Sequence, residues 1–207
     1  MTTKLTYNSL LAQKIIEEFS KRNIEGHYCE TKETGLENAL ELISKGSVVS
    51  HGGSKTLHEI GLCNALKNGN FNFLDPIKPK NGIEKEAVAH QALNSDYYFM
   101  SSNAITMAGQ LVNIDGIGNR VASLIYGPKN VIVIAGMNKI TENVDEAIKR
   151  IKNYSAPMGI LSYKNDFTTF DELIKASEFG QSQLVITEYS MIKHRIKVIL
   201  VGEDLGF

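Results

Sequence analysis

The chain has 207 residues, enough for one substantial core and too few for two full domains, so a single domain over 1–207 is expected. Hydrophobic residues at 43% and charged residues at 22%, with 17 Gly and 4 Pro, exclude a disordered or fibrous protein. A formal net charge of -1 and the lack of a dense Lys/Arg run argue against nucleic acid and leave small molecules or proteins as partners.

No stretch approaches about 18 consecutive apolar residues, so no membrane span is expected. "MTTKLTYNSLLAQKI" lacks the apolar core and cleavage site of a secretory signal, which sets a cytoplasmic expectation. Two cysteines, Cys29 and Cys63, form no C-x-x-C pair, and the five histidines show no metal-binding spacing, so no metal is expected.

In chain order, Leu10, Leu11, Ile15, Ile16 and Phe19 recur at helical spacing, with Asn8 or Ser9 as the cap. A strand in "GHYCE" and a helix in "GLENALELIS" follow. "KGSVVSHGGSKTLHEIGL" reads as a strand ending near Ser50, a Gly-Gly-Ser loop and a helix from about Lys55. "FNFLDP" is a strand broken by Pro76, and "IEKEAVAHQALNS" a helix with Val88, Ala92 and Leu93 inward. "DYYFMSS" is a strand; "ITMAGQLVNI" is a hairpin turning at Met107, Ala108 and Gly109, with Val112 and Ile114 opposite Asn113 and Asp115. "NVIVIAG" has the continuous apolar character of a strand buried on both faces, and "NVDEAIKRIKNY" is a helix. "FTTFDELIKASEFG" is helical, while "QLVITEY" and "HRIKVILVG" are β-rich segments that could expose a sheet edge and support a homo-oligomer. The whole predicts a three-layer α/β fold with a largely parallel sheet flanked by helices, an inserted β-hairpin and β-rich C-terminal segments.

Two places carry candidate chemistry. "HGGSKTLHEIG" suits an anion site, because backbone N–H groups and a helix N-terminus converge where Gly52 and Gly53 permit close approach and Ser54 and Thr56 supply hydroxyls. It matches neither the Walker nor the dinucleotide spacing, and a tight turn with Ser54 as cap explains it equally well. His51 and Glu59 could add acid–base chemistry or serve helix-end electrostatics. The second place, "SSNAITMAGQLVNIDGIGNRV", sets Asn113, Asp115, Asn119 and Arg120 beside strand ends, where α/β sheets bind ligands. The alternative is local turn bonding and an Asp115–Arg120 tie.

These residues carry a resemblance. "SDYYFMSSNAITMAGQLVNIDGIGNRVASLIYGPKNVIVIAGMNKI", "VVSHGGSKTLHEIG" and "RIKVILVGEDLGF" resemble the motifs of the lactate-utilisation (LUD) domain family over nearly the whole chain. The resemblance implies a fold similar to glucosamine-phosphate deaminase, ribose-phosphate isomerase and CoA-transferase, in which glycine loops and strand ends hold sugar phosphates or CoA esters. It implies ligand-binding positions at Gly52, Gly53, Ser54 and Thr56, then at Ser101, Ser102 and Asn103. Further positions are Asn113, Gly116, Gly118 and Asn119, followed by Gly136, Asn138 and Lys139. Asp115 is the candidate acid–base group, and Arg120 or Lys139 would neutralise developing charge.

Many family members carry a cysteine-rich segment before the final strands, whereas "ILSYKNDFTTFDELIKASEFGQSQ" has no cysteine. No intrinsic cofactor is therefore expected, and iron–sulfur clusters would come only through a partner protein. Three functions follow: an accessory subunit of an iron–sulfur-dependent lactate oxidation system; a stand-alone enzyme or sensor of a small anionic metabolite such as a sugar phosphate or CoA ester; or a scaffold that has lost its chemistry.

Overall fold

The computed structural model describes residues 3–79 and 81–207; Met1, Thr2 and Lys80, inside the expected domain, lie outside the described residues. Helix α1 (Thr3–Lys21) buries Ala12, Ile15 and Phe19 on one stripe. It begins earlier than the sequence suggests, so Asn8 is not a cap: it is buried within the helix and donates from Nδ2 to the Gly202 carbonyl at 2.9 Å. Strand β1 (Glu25–Cys29) leads to α2 (Lys32–Glu41), which Thr31 and Thr34 close with a capping box.

After β2 (Val48–His51), the expected single helix is two short ones, α3 (Lys55–Glu59) and α4 (Leu62–Asn68). Gly61 divides them at φ +81, a left-handed conformation that L side chains resist. Strand β3 (Asn72–Leu74) and helix α5 (Gly82–Ala92) follow; α5 buries only Ala92, with Val88 and Leu93 half-buried.

Strands β4 (Tyr97–Met100), β5 (Ala104–Thr106) and β6 (Leu111–Asp115) precede α6 (Asn119–Tyr126) and β7 (Asn130–Gly136). The short β8 (Ile140–Thr141) then leads to α7 (Val144–Arg150), which runs through a π-helical turn, Ile151–Ser155, into α8 (Ala156–Leu161). Pro157 in the first turn of α8 has no N–H to give back to the preceding turn, so the ladder widens there. Helix α9 (Phe170–Ser177) and strands β9 (Gln183–Thr187) and β10 (Ile196–Val201) complete the order.

Six strands form a parallel sheet in the order β1-β10-β7-β4-β2-β3. Alternation along β7 directs Val131, Val133 and Ala135 to the layer of α1 and α6, and Ile132 and Ile134 to the layer of α2, α3 and α4. This is the three-layer arrangement, with helices on both faces because the central strands are apolar on both. A second, mixed sheet in the order β8-β5-β6-β9 contains the expected hairpin, with Gly109 at φ +81 in its turn.

The two C-terminal β segments do not pair with each other. β10 lies between β1 and β7 in the middle of the large sheet, so it offers no edge, whereas β9 pairs with β6 alone among the described residues. From β2 the large sheet grows outward to β3, and on the other side β4, β7 and β10 follow. The loops leaving the carboxyl ends of β2 and β4 therefore diverge at a switch point, the usual place for a crevice in such sheets.

Candidate functional site

A cleft of about 180 Å3 opens there, lined from β2 by Gly53, Ser54, Lys55 and Thr56, from β4 by Ser101, Ser102 and Asn103, and from α6 by Arg120. Lys139, just past β7, forms its floor, while Ser155, Gly159, Ser162 and Tyr163 approach from α8 and its flanks, and Phe207 from the tail. Ser54 caps α3 by accepting the Leu57 N–H at 3.4 Å. The N–H groups of Lys55 and Thr56 open the helix and have no acceptor one turn back.

Lys139 is only 4% exposed, and no carboxylate lies within ion-pair distance among the described residues. Its Nζ donates to Thr56 Oγ1 at 2.8 Å and to Ser101 Oγ at 2.9 Å. Both hydroxyls spend their own hydrogens on backbone, Thr56 on the Leu205 carbonyl at 3.2 Å and Ser101 on the Ser102 carbonyl at 3.4 Å. They consequently act as acceptors toward Lys139. Burial, then the Arg150 and Arg120 guanidiniums, hold its pKa down to about 7, with Glu59 acting in the opposite sense.

Arg120 is tied more tightly. Nη1 donates to the Ser101 carbonyl at 3.1 Å and to Asn113 Oδ1; Nη2 donates to Asn103 Oδ1 at 2.7 Å and the Ile114 carbonyl at 2.9 Å and pairs with Asp115. Asp115 is occupied on both oxygens, since Oδ2 accepts the Val121 N–H at 3.0 Å. Neither Asp115 nor Asn113 reaches the cleft wall. The group sets the direction of the loop at 101–103 and places the guanidinium field next to the cleft.

Other expected positions separate from this cluster. Gly52 is buried, and a Cβ there would come within 3.0 Å of Tyr98 Oη and 3.1 Å of Arg120 Cγ, so glycine lets the Arg120 stem pass. Gly116 packs against the turn at Phe179 and Gly180. Gly118, at φ +86, starts α6, and it lines with Asn119 a neighbouring, more apolar groove of about 770 Å3 that shares Gly53 with the cleft. Gly136 and Asn138 hold the tail: Asn138 accepts the Leu205 N–H and donates to the Gly206 carbonyl. A Cβ on Gly136 would stand 2.5 Å from Leu205 N.

His51 is buried outside the cleft, with Nδ1 on the Gly52 carbonyl, Nε2 3.7 Å from Cys63 Sγ and its ring stacked on Phe73. Burial lowers its pKa. Glu59 accepts the Gly206 N–H at 2.7 Å. Lys55, Ser155, Gly159, Ser162, Tyr163 and Phe207 were not foreseen; the one local signal among them was Lys55, next to the Gly-Gly-Ser loop.

Among the described residues no group of three or more His, Cys, Asp or Glu is placed to hold a metal ion, and both cysteines are free. A cysteine-held iron–sulfur cluster does not fit this donor set. No described helix is long and apolar enough to cross a membrane.

The chain is a parallel α/β domain with a lysine-floored polar cleft at the switch point of its large sheet. The sequence profile of the LUD domain family matches residues 12–201, and the chain belongs to that family. Among solved structures it is similar to a DUF162 family protein from Deinococcus radiodurans, at 14% identity over 94% of this chain and 98% of that one, with a TM-score of 0.55. At that identity the likeness is one of fold. It is also similar to eIF2B delta from Chaetomium thermophilum (23% identity, 53% of this chain and 48% of that one, TM-score 0.35) and to a chain of the tetrameric eIF2B-beta2-delta2 complex from C. thermophilum (17%, 84% and 56%, TM-score 0.41). The comparison with curated proteins finds no match.

Proposed function

We propose that this LUD domain binds a small anionic metabolite in the cleft, as an enzyme or sensor, with Lys139 as its cationic and acid–base centre. The observation that carries the reading is the buried Lys139 amine nitrogen, held by two hydroxyls and by no carboxylate among the described residues, so that it takes up a proton there without a countercharge. An unpaired buried cation is costly, and an incoming carboxylate or phosphate relieves that cost. Gly53, Ser54 and Lys55 add donors from the facing loop. The assignment of acid–base chemistry moves from Asp115, whose oxygens are occupied, to Lys139, while Arg120 contributes field and scaffold.

At about 180 Å3 the cleft suits a small acid or the phosphate end of a sugar phosphate, and a CoA ester would have to extend past Gly53 into the neighbouring groove. The family match supports a general link to lactate utilisation, and on that link the second reading makes the chain an accessory subunit of an iron–sulfur-dependent lactate oxidation system, in which the clusters belong to the partner and the cleft takes the acid. Thermal shift of the purified chain with lactate, pyruvate, glucose 6-phosphate, acetyl-CoA and inorganic phosphate tests the first reading. Stabilisation that vanishes in Lys139→Met supports it, and identical shifts in the variant reject it. Co-purification of an iron–sulfur protein from the native host supports the second. Homo-oligomerisation is a proposal confined to the β9 edge, tested by light scattering of the wild type against Ile186→Lys.

A further inference from the structure

Lys139 has an unusual set of neighbours. Thr56 Oγ1 and Ser101 Oγ each accept one hydrogen from Nζ, and each has given its own hydrogen to a backbone carbonyl, Leu205 or Ser102. A neutral amine has two hydrogens. Both are consumed by these hydroxyls, which fixes the rotation of the amine and leaves its lone pair as the one position without a protein partner among the described residues. An ammonium in the same place has a third hydrogen with no acceptor, so the geometry suits the neutral form better than the charged one.

The charged groups around the nitrogen reinforce this. Arg120 on α6 and Arg150 on α7 oppose a positive charge there, and Glu59 on α3 favours one weakly. Arg150 is held in place by bonds to the Asn103 carbonyl at 2.8 Å and Ser155 Oγ at 3.3 Å. An oriented amine lone pair on a lysine only 4% exposed at the floor of a cleft is a nucleophile for a carbonyl carbon. The same cleft is rich in donors and cations, so the carbonyl compound it accepts is an anion.

We infer that Lys139 is a catalytic residue that captures the carbonyl carbon of a small oxo acid as an imine. This rests on the anion-binding reading of the same cleft. In the step, the Nζ lone pair forms a bond to the carbonyl carbon while the carbonyl π pair moves to oxygen. Transfer of a proton from nitrogen to that oxygen gives the carbinolamine. The nitrogen lone pair then closes the C=N bond as the hydroxyl leaves, and the second proton of the nitrogen goes with that hydroxyl as water, leaving the neutral imine. No oxidant or reductant takes part.

The test uses the full chain with pyruvate as probe, lactate as the same acid without the carbonyl, and sodium cyanoborohydride to reduce any imine to a stable secondary amine. Peptide mass spectrometry of the wild type is expected to find one reduced pyruvate adduct at Lys139 and none with lactate. Its yield is expected to rise about tenfold from pH 6 to pH 8 and then level off, following a neutral fraction set by a pKa near 7. Lys139→Arg, which keeps the cation, is expected to lose the adduct, and the mapping on the wild type holds whether or not the variant folds.

An adduct on other lysines, or none although pyruvate stabilises the protein, overturns the imine and leaves the anion-binding reading standing. Absence of both adduct and stabilisation by any of the anions overturns both.

Discussion

Asp115 and Arg120 form a nearly buried ion pair beside the cleft. With side chains 9% and 11% exposed, each is the main countercharge of the other, and Asp115 also holds the first turn of α6 through Val121. Asp115→Ala is expected to cost about 3–5 kcal/mol, because it leaves a nearly buried guanidinium unpaired; the check is a lower urea midpoint at an unchanged m-value. Lys139 makes the opposite prediction. Its pKa near 7 in the folded chain lies below the 10.5 of an ordinary lysine, so between those values the unfolded chain binds more protons. Stability of the ligand-free protein therefore rises with pH across that window, and the burial penalty is complete below it. Thermal melting from pH 6 to pH 10 should show this rise, and Lys139→Met should remove it and melt several degrees higher at pH 6.

At the scale of elements, the site depends on two pieces that periodicity does not show. The π turn at Ile151–Ser155 joins α7 to α8, and Ser155 from the turn, Gly159 from α8 and Tyr163 just beyond it reach the cleft. Deleting Asn153, an exposed residue of that turn, should restore a regular helix and rotate α8 by about 100°. The expected result is an anion affinity at least tenfold weaker, measured by titration calorimetry, with the circular dichroism spectrum retained. The second piece is the tail. A Cβ on Gly136 would meet Leu205 N and the Glu203 carbonyl at 2.5 and 2.6 Å, both backbone atoms that cannot step aside. Gly136→Ala should destabilise by about 1–3 kcal/mol and also weaken anion binding, since it displaces Gly206 and Phe207 from Lys139. Denaturation and titration of the same variant check the two effects together.

At the scale of the whole molecule, cleft and stability are linked, because a ligand that binds only the folded chain stabilises it by mass action. An anion at a hundred times its Kd should add about 2.7 kcal/mol, which for a domain of this size is several degrees of melting temperature, about 2–4 °C per kcal/mol. The shift should shrink above pH 7 as Lys139 loses its proton, provided the ligand has no carbonyl to capture. Lactate and inorganic phosphate are the suitable ligands for that measurement.

Alternation of apolar strands and amphipathic helices was enough to establish the parallel α/β architecture, since β7 is apolar on both faces and α1 on one, and those local patterns have one way to be buried together. The hairpin at Met107, Ala108 and Gly109 and the Ser54 cap were also legible, because turns and caps depend on neighbours in sequence. Tertiary structure alone decided that β9 and β10 enter different sheets, that Asp115 pairs with Arg120, and that Lys139 lies between Thr56 and Ser101. Each of these depends on residues far apart in the chain. A lysine's charge, exposure and partners are properties of the fold around it, which no local pattern at Lys139 records.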